Sequence, residues 1–105
     1  HEAKSLAEFW HGLGCDVVFM PPDLHDAIYA HVSHLPHLLV FAAGLCLHRL
    51  NVSMHTDQAL LKQFLRIGMS NTRMWADIFI ENRNELNHAL AQIMAMIEHM
   101  VGELE

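Results

Sequence analysis

The sequence predicts an all-α domain entered through one short helix and one lone strand, and three patterns carry that reading. Apolar residues recur at three-to-four spacing along most of the chain, as in helices that bury one face. A proline, Pro36, falls in the middle of the longest such stretch. Cys15-Asp16-Val17-Val18-Phe19-Met20, closed by Pro21-Pro22, is β-branched and aromatic and reads as a strand. One strand leaves its backbone donors and acceptors unpaired, so its sheet is expected upstream, in a longer α/β protein.

Taken in order, Lys4 to Leu13 place Leu6, Phe9, Trp10 and Leu13 on one side of a helix that Gly14 stops. After the strand, Asp23 is a suitable N-cap and Asp26 an acidic residue in the first turn, so a long helix should start near Leu24. It carries Ile28, Val32 and Leu35, then Leu38, Leu39, Ala42, Leu45 and Cys46, and ends near Leu50. Pro36 has no amide hydrogen for the carbonyl of Val32 and crowds it, so a kink costing about 3 kcal/mol is expected there. Thr56 or Asp57 caps the next helix, with Leu60, Leu61, Phe64, Leu65 and Ile67 on its face and Gly68 at its end. Ser70 caps a further helix bearing Met74, Trp75, Ile78 and Phe79. Helical spacing resumes in Leu86, Leu90, Ile93, Met94, Ile97 and Met100, as a continuation or after a bend near 82–84, and the tail from Gly102 should fray.

Composition sets limits on function. The 105 residues make one domain or a fragment of a larger one. Apolar residues are 52% and charged ones 17%, against typical values of about 45 to 50% and about 25%, so part of the surface should be covered by a partner chain or another domain. Met94, Met96 and Met100 read as core or subunit contact. A net charge of -6 gives no footprint for nucleic acid. The apolar run Leu38 to Leu47 falls short of the roughly 18 residues that span a bilayer, so no membrane partner is expected. Cys15 and Cys46 sit in apolar settings and read as buried free thiols, which points to the reducing cytoplasm.

The chemistry-bearing stretch is Ala30-His31-Val32-Ser33-His34-Leu35-Pro36-His37. His34 and His37, one turn apart, lie about 60° from each other on the helix, and a kink would gather them at a shallow concave spot. The plain alternative is that they are satisfied helix histidines. A helical, His-rich metal-binding module is a second alternative, with His31, His34 and His37 as ligands and His25 and Asp26 nearby. Three histidines stepping by roughly 60° cannot converge on one tetrahedral ion without another helix, so no metal is expected. A purely structural dimerisation domain is a third.

Phe9-Trp10-x-x-Leu13-Gly14-x-x-Val17-x-x-Met20-x-Pro22-x-x-His25-Asp26, followed by Val32-Ser33-His34-Leu35-Pro36-His37-Leu38-Leu39, resembles the segment joining the two domains of prephenate dehydrogenases and the related arogenate (cyclohexadienyl) dehydrogenases. The likeness continues through Arg66-Ile67, Ser70 and Met74-Trp75-x-Asp77-Ile78-Phe79-x-x-Asn82, and beyond Asn82 it is one of pattern only. The chain departs from the family where Ala59, Leu60 and Leu61 stand in place of flexible glycines and Gln63 in place of an acidic residue.

The resemblance implies a helical dimerisation domain like the C-terminal domain of 6-phosphogluconate dehydrogenase, here residues 21–105. Residues 1–20 would then be the last helix and strand of an upstream Rossmann domain. It also implies NAD- or NADP-dependent oxidative decarboxylation of prephenate to 4-hydroxyphenylpyruvate, or of arogenate, in tyrosine biosynthesis. The catalytic base and the Gly-rich dinucleotide fingerprint belong to that upstream domain, and this chain has no G-x-G-x-x-G. By resemblance, Arg66 is the substrate-carboxylate arginine, His37 lies close to it, Lys62 is the basic residue one turn earlier, and Trp75 and His34 stand near the cleft. Physical chemistry adds that like charges at Lys62 and Arg66 repel by a few tenths of a kcal/mol unless an anion lies between them. Alone, the chain is expected to be a homodimer that neither binds the cofactor nor turns over substrate.

Overall fold

The computed structural model describes residues 2–50, 62, 63, 66 and 71–105. Among them every regular element is helical. Helix α1 spans Glu2–Gly12. It ends as expected at Gly14, whose φ of 86° only glycine adopts without strain. Gly14 N–H donates to His11 O at 3.0 Å and Cys15 N–H to Trp10 O at 3.1 Å, the paired bonds of a Schellman cap.

Residues 15–21 carry no regular structure. The strand expected at Cys15–Met20 does not form, because no neighbouring strand exists among the described residues to take its hydrogen bonds. Cys15 and Cys46 are both exposed free thiols in the single chain, not buried ones.

Helix α2, Pro22–Tyr29, starts two residues earlier than Asp23 capping would place it. Pro22 occupies the first turn, where its missing N–H has no intrahelical partner to lose and its fixed φ suits a helix. The helix then continues without a break through a five-residue π turn, Ala30–His34, into α3, Leu35–Arg49. This π turn replaces the kink expected at Pro36. Leu35 N–H reaches back to Ala30 O, so the register shifts by one residue just before the proline. Pro36 thereby lands in the first turn of α3, where a missing donor costs little.

By length and apolarity Pro22–Arg49 is the one described stretch able to cross a membrane. Its polar edge, however, faces other helices of the same chain: His31 meets Gln92, and His34 and His37 meet Trp75.

Lys62, Gln63 and Arg66 are helical and exposed, and the rest of the helix expected at 56–68 lies outside the described residues. Helix α4, Thr72–Glu81, is capped by Asn71 and not by Ser70: the Asn71 side chain accepts from Met74 N–H at 3.1 Å. Asn82 breaks the run, and α5 follows from Arg83 to Glu103, so Gly102 lies inside the helix instead of starting a frayed tail.

The core forms where the π turn crosses α5. Ala30 and Ala89 are 0% and 1% exposed, and Leu35 and Leu86 close around them, with Leu38, Leu39, Phe79, Leu90 and Ile93 packed outside. Two alanines at the crossing let the helices approach closely. Elsewhere burial is sparse. The radius of gyration is 18.0 Å, against about 13 Å for a compact domain of this length. The accessible surface is 8839 Å², against roughly 6,000 Å² expected for a monomer of this mass. Leu6, Phe9 and Trp10 on α1 and Met94, Met96, Ile97 and Met100 on α5 are exposed, so these methionines are not core of the single chain.

Candidate substrate site

The π turn sets the directions of three imidazoles, and each nitrogen with a partner fixes where a proton sits. On His37, Nδ1 lies 2.9 Å from Ser33 O. A carbonyl only accepts, so Nδ1 carries the proton and Nε2 of the neutral ring keeps its lone pair. The ring stacks on Trp75, centroids 3.6 Å apart and planes within 18°. Trp75 is 8% exposed, so a buried indole fixes the plane of the imidazole above it.

His34 packs against the same indole edge-on, at 6.3 Å and 76°. Its Nδ1 lies 3.1 Å from Asn82 Nδ2, an amide that also donates to Asp26 O at 2.8 Å. Burial first, then the neighbouring His25 and His37, lowers the His34 pKa below its ordinary 6.5, with Asp26 pulling the other way. On its outer side, Tyr29 lies 6.4 Å from His34 and stacks on His25 at 4.3 Å. His25 Nδ1 sits 3.2 Å from Asp26 Oδ1, but both side chains are half exposed, so that ion pair adds little to stability.

His31 is turned elsewhere. Its Nδ1 donates to Ala27 O at 2.9 Å and its Nε2 meets Gln92 Oε1 at 2.8 Å, a tie between the π turn and α5. The Ala27 carbonyl first, then Gln92, raises its pKa above 6.5. The three histidines therefore do not converge, and among the described residues no group of three or more His, Cys, Asp or Glu is placed to hold a metal ion.

Of the residues singled out in the sequence, His34, His37 and Trp75 are thus brought together. Lys62 and Arg66 are exposed helical residues. Sequence reasoning passed over Asn82 and Gln92 as site residues. Asn82 also ends α4 and precedes α5, and an Asn at such a junction reads from sequence as a cap.

Residues 21–105 match the family profile described as prephenate dehydrogenase, dimerization domain. The chain belongs to that family. The boundary at residue 21 falls where the unstructured stretch after α1 gives way to α2. A cyclohexadienyl dehydrogenase from Zymomonas mobilis is 24% identical over 95% of this chain and 33% of its own length. The crystal structure of prephenate dehydrogenase from A. aeolicus in complex with hydroxyphenyl propionate and NAD+ superposes with a TM-score of 0.85 at 30% identity, covering 97% of this chain and 37% of that one. The chain thus spans about a third of the length of those relatives.

Proposed function

We propose that this chain is the self-pairing, substrate-closing part of an NAD(P)-dependent prephenate dehydrogenase that makes 4-hydroxyphenylpyruvate, or of its arogenate-using counterpart. The observation that carries the reading is the pair His34 and His37, fixed on one buried indole beside a proline-adjacent π turn, in a chain of this family. The A. aeolicus relative holds hydroxyphenyl propionate, an aromatic ring with a carboxylate arm, which has the same general make-up as the product proposed here.

In this reading Arg66 grips a substrate carboxylate, since a guanidinium fork matches two carboxylate oxygens, and Lys62 adds charge one turn away. His37 offers its Nε2 lone pair to a hydroxyl of the substrate, and His34 stands beside it on the same indole. Trp75 keeps both imidazoles in place and excludes water behind them.

The nicotinamide, when bound, accepts the hydride. Among the described residues, the glycine pair after α1 does not fit its phosphates. The Gly12-x-Gly14 pair sits at the C-terminus of α1, where carbonyls gather negative potential, the wrong polarity for a pyrophosphate. Cofactor binding and the proton-abstracting base belong, in this proposal, to the nucleotide-binding part of the full enzyme, with residues 1–20 as its edge. The exposed apolar faces then meet a second copy and that other part. Reducing conditions in the cytoplasm suit the two exposed thiols.

In the full-length enzyme, Arg66→Ala should raise KM for prephenate by about ten- to a hundredfold with a smaller loss in kcat, the mark of a lost ground-state carboxylate contact. Steady-state kinetics that leave KM unchanged would remove Arg66 from the site.

A further inference from the structure

Asn82 stands at the joint between α4 and α5, and its side-chain amide reaches across to α2. Its backbone is held on both sides: its N–H donates to Ile78 O at 3.1 Å and its carbonyl accepts from Leu86 N–H at 2.9 Å. The amide therefore has a fixed origin, and its orientation follows from its partners. Asp26 O, 2.8 Å away, is acceptor-only, so the NH2 end must face it, because the reverse orientation would oppose two carbonyl oxygens. The same nitrogen lies 3.1 Å from His34 Nδ1, and it has one hydrogen left to give. Nδ1 must then be the unprotonated nitrogen of the ring, and the proton of neutral His34 sits on Nε2.

We propose that Asn82 is a positioning residue for the substrate site: oriented by Asp26 O, it holds His34 as the Nε2–H tautomer, so the His34 and His37 rings present one donor and one acceptor. The two tautomers are opposite because their anchors are opposite. An amide N–H meets His34 Nδ1, whereas the Ser33 carbonyl meets His37 Nδ1. A pair so polarised suits a ligand that offers both an acceptor, such as a carboxylate, and a hydroxyl donor. The groups facing His34 are His25, Asp26 and Tyr29 from α2, His37 from α3, and the neutral Trp75 from α4. The inference rests on the site reading given above only for what the nitrogens touch, and not for which of them is protonated.

The test uses the full-length enzyme labelled with 15N-histidine, the His34 signals being assigned by their loss in His34→Gln. In the unmutated enzyme at neutral pH the ring nitrogens should show a protonated Nε2 and a bare Nδ1; a protonated Nδ1 overturns the proposal without any variant. In Asn82→Asp, of nearly equal size, a carboxylate replaces the donor, so His34 should gain a proton on Nδ1 and its pKa should rise by about one unit or more. An unchanged tautomer and pKa in that variant also overturns it. If the tautomer follows Asn82 and KM for prephenate rises about tenfold in Asn82→Asp, both this inference and the site reading stand. If the tautomer follows Asn82 while KM and its pH profile do not move, the positioning of His34 stands and the site reading falls.

Discussion

The crossing of the π turn with α5 and the outer ends of the molecule are built from similar residues yet have opposite fates. At the crossing, Ala30, Leu35, Leu86 and Ala89 are buried, and the adjoining polar groups of His31, His34 and Asn82 find partners. On α1 and the far half of α5, Leu6, Phe9, Trp10, Ile97 and Met100 face outward. Apolar composition alone does not make a core; what differs is whether another helix of the same chain passes within reach. The inner region can hold a precise arrangement because its backbone is crossed and tied, whereas the outer region is left exposed in the single chain.

Three measurements sharpen or break this contrast. The largest effect is expected from Leu86→Ala, which should cost about 2 to 5 kcal/mol in denaturant unfolding by opening a cavity at the crossing. Met96→Ala, on the exposed side, should cost far less in the same assay, and equal losses would erase the distinction between the regions.

Next in size is Ile97→Glu. If the outer face of α5 pairs with a second copy, a buried unpaired charge there should weaken the dimer by about 2 kcal/mol or more, roughly thirtyfold in Kd. Sedimentation at graded concentrations reads this directly, and an unaltered dimer would move the interface elsewhere.

The smallest effect separates the two histidines of the π turn. The raised pKa of His31 gives a stabilising contribution that is fully present below pH 6.5 and is lost as pH rises through the raised value. The lowered pKa of His34 works the other way: stability falls as pH drops from 6.5 through the lowered value, because the unfolded chain takes up the proton first. Thermal unfolding between about pH 5 and 8 should therefore change slope in opposite senses for His31→Gln and His34→Gln. Slopes that match the unmutated protein in both variants would show that neither ring is set by its contacts as described.

Much of the fold was legible in the chain. Among the described residues, the apolar spacing located the helices, Gly14 located a helix end, and the β-branched run before Pro21 marked the longest stretch without a helix. The strand expected there needed hydrogen bonds from a neighbour that no described residue supplies. The kink expected at Pro36 was resolved one turn earlier, since a π turn moves the proline to a first-turn position at less cost than a broken helix. The Ser33-His34-Leu35-Pro36-His37 run pointed to His34 and His37, and Trp75, on the apolar stripe of its helix, is both buried and stacked on His37. Asn82 was out of reach because its part in the site depends on α2 passing beside it, 56 residues away in sequence.

What this sequence determined by itself is local: which residues are helical, where glycine and proline interrupt them, and the family to which residues 21–105 belong. His37 Nδ1 is held locally by Ser33 O, but only the tertiary structure decided which side chains meet His31 Nε2 and His34 Nδ1. Those two contacts join groups brought within about 3 Å from distant parts of the chain, and hydrogen-bond geometry acts over no longer range.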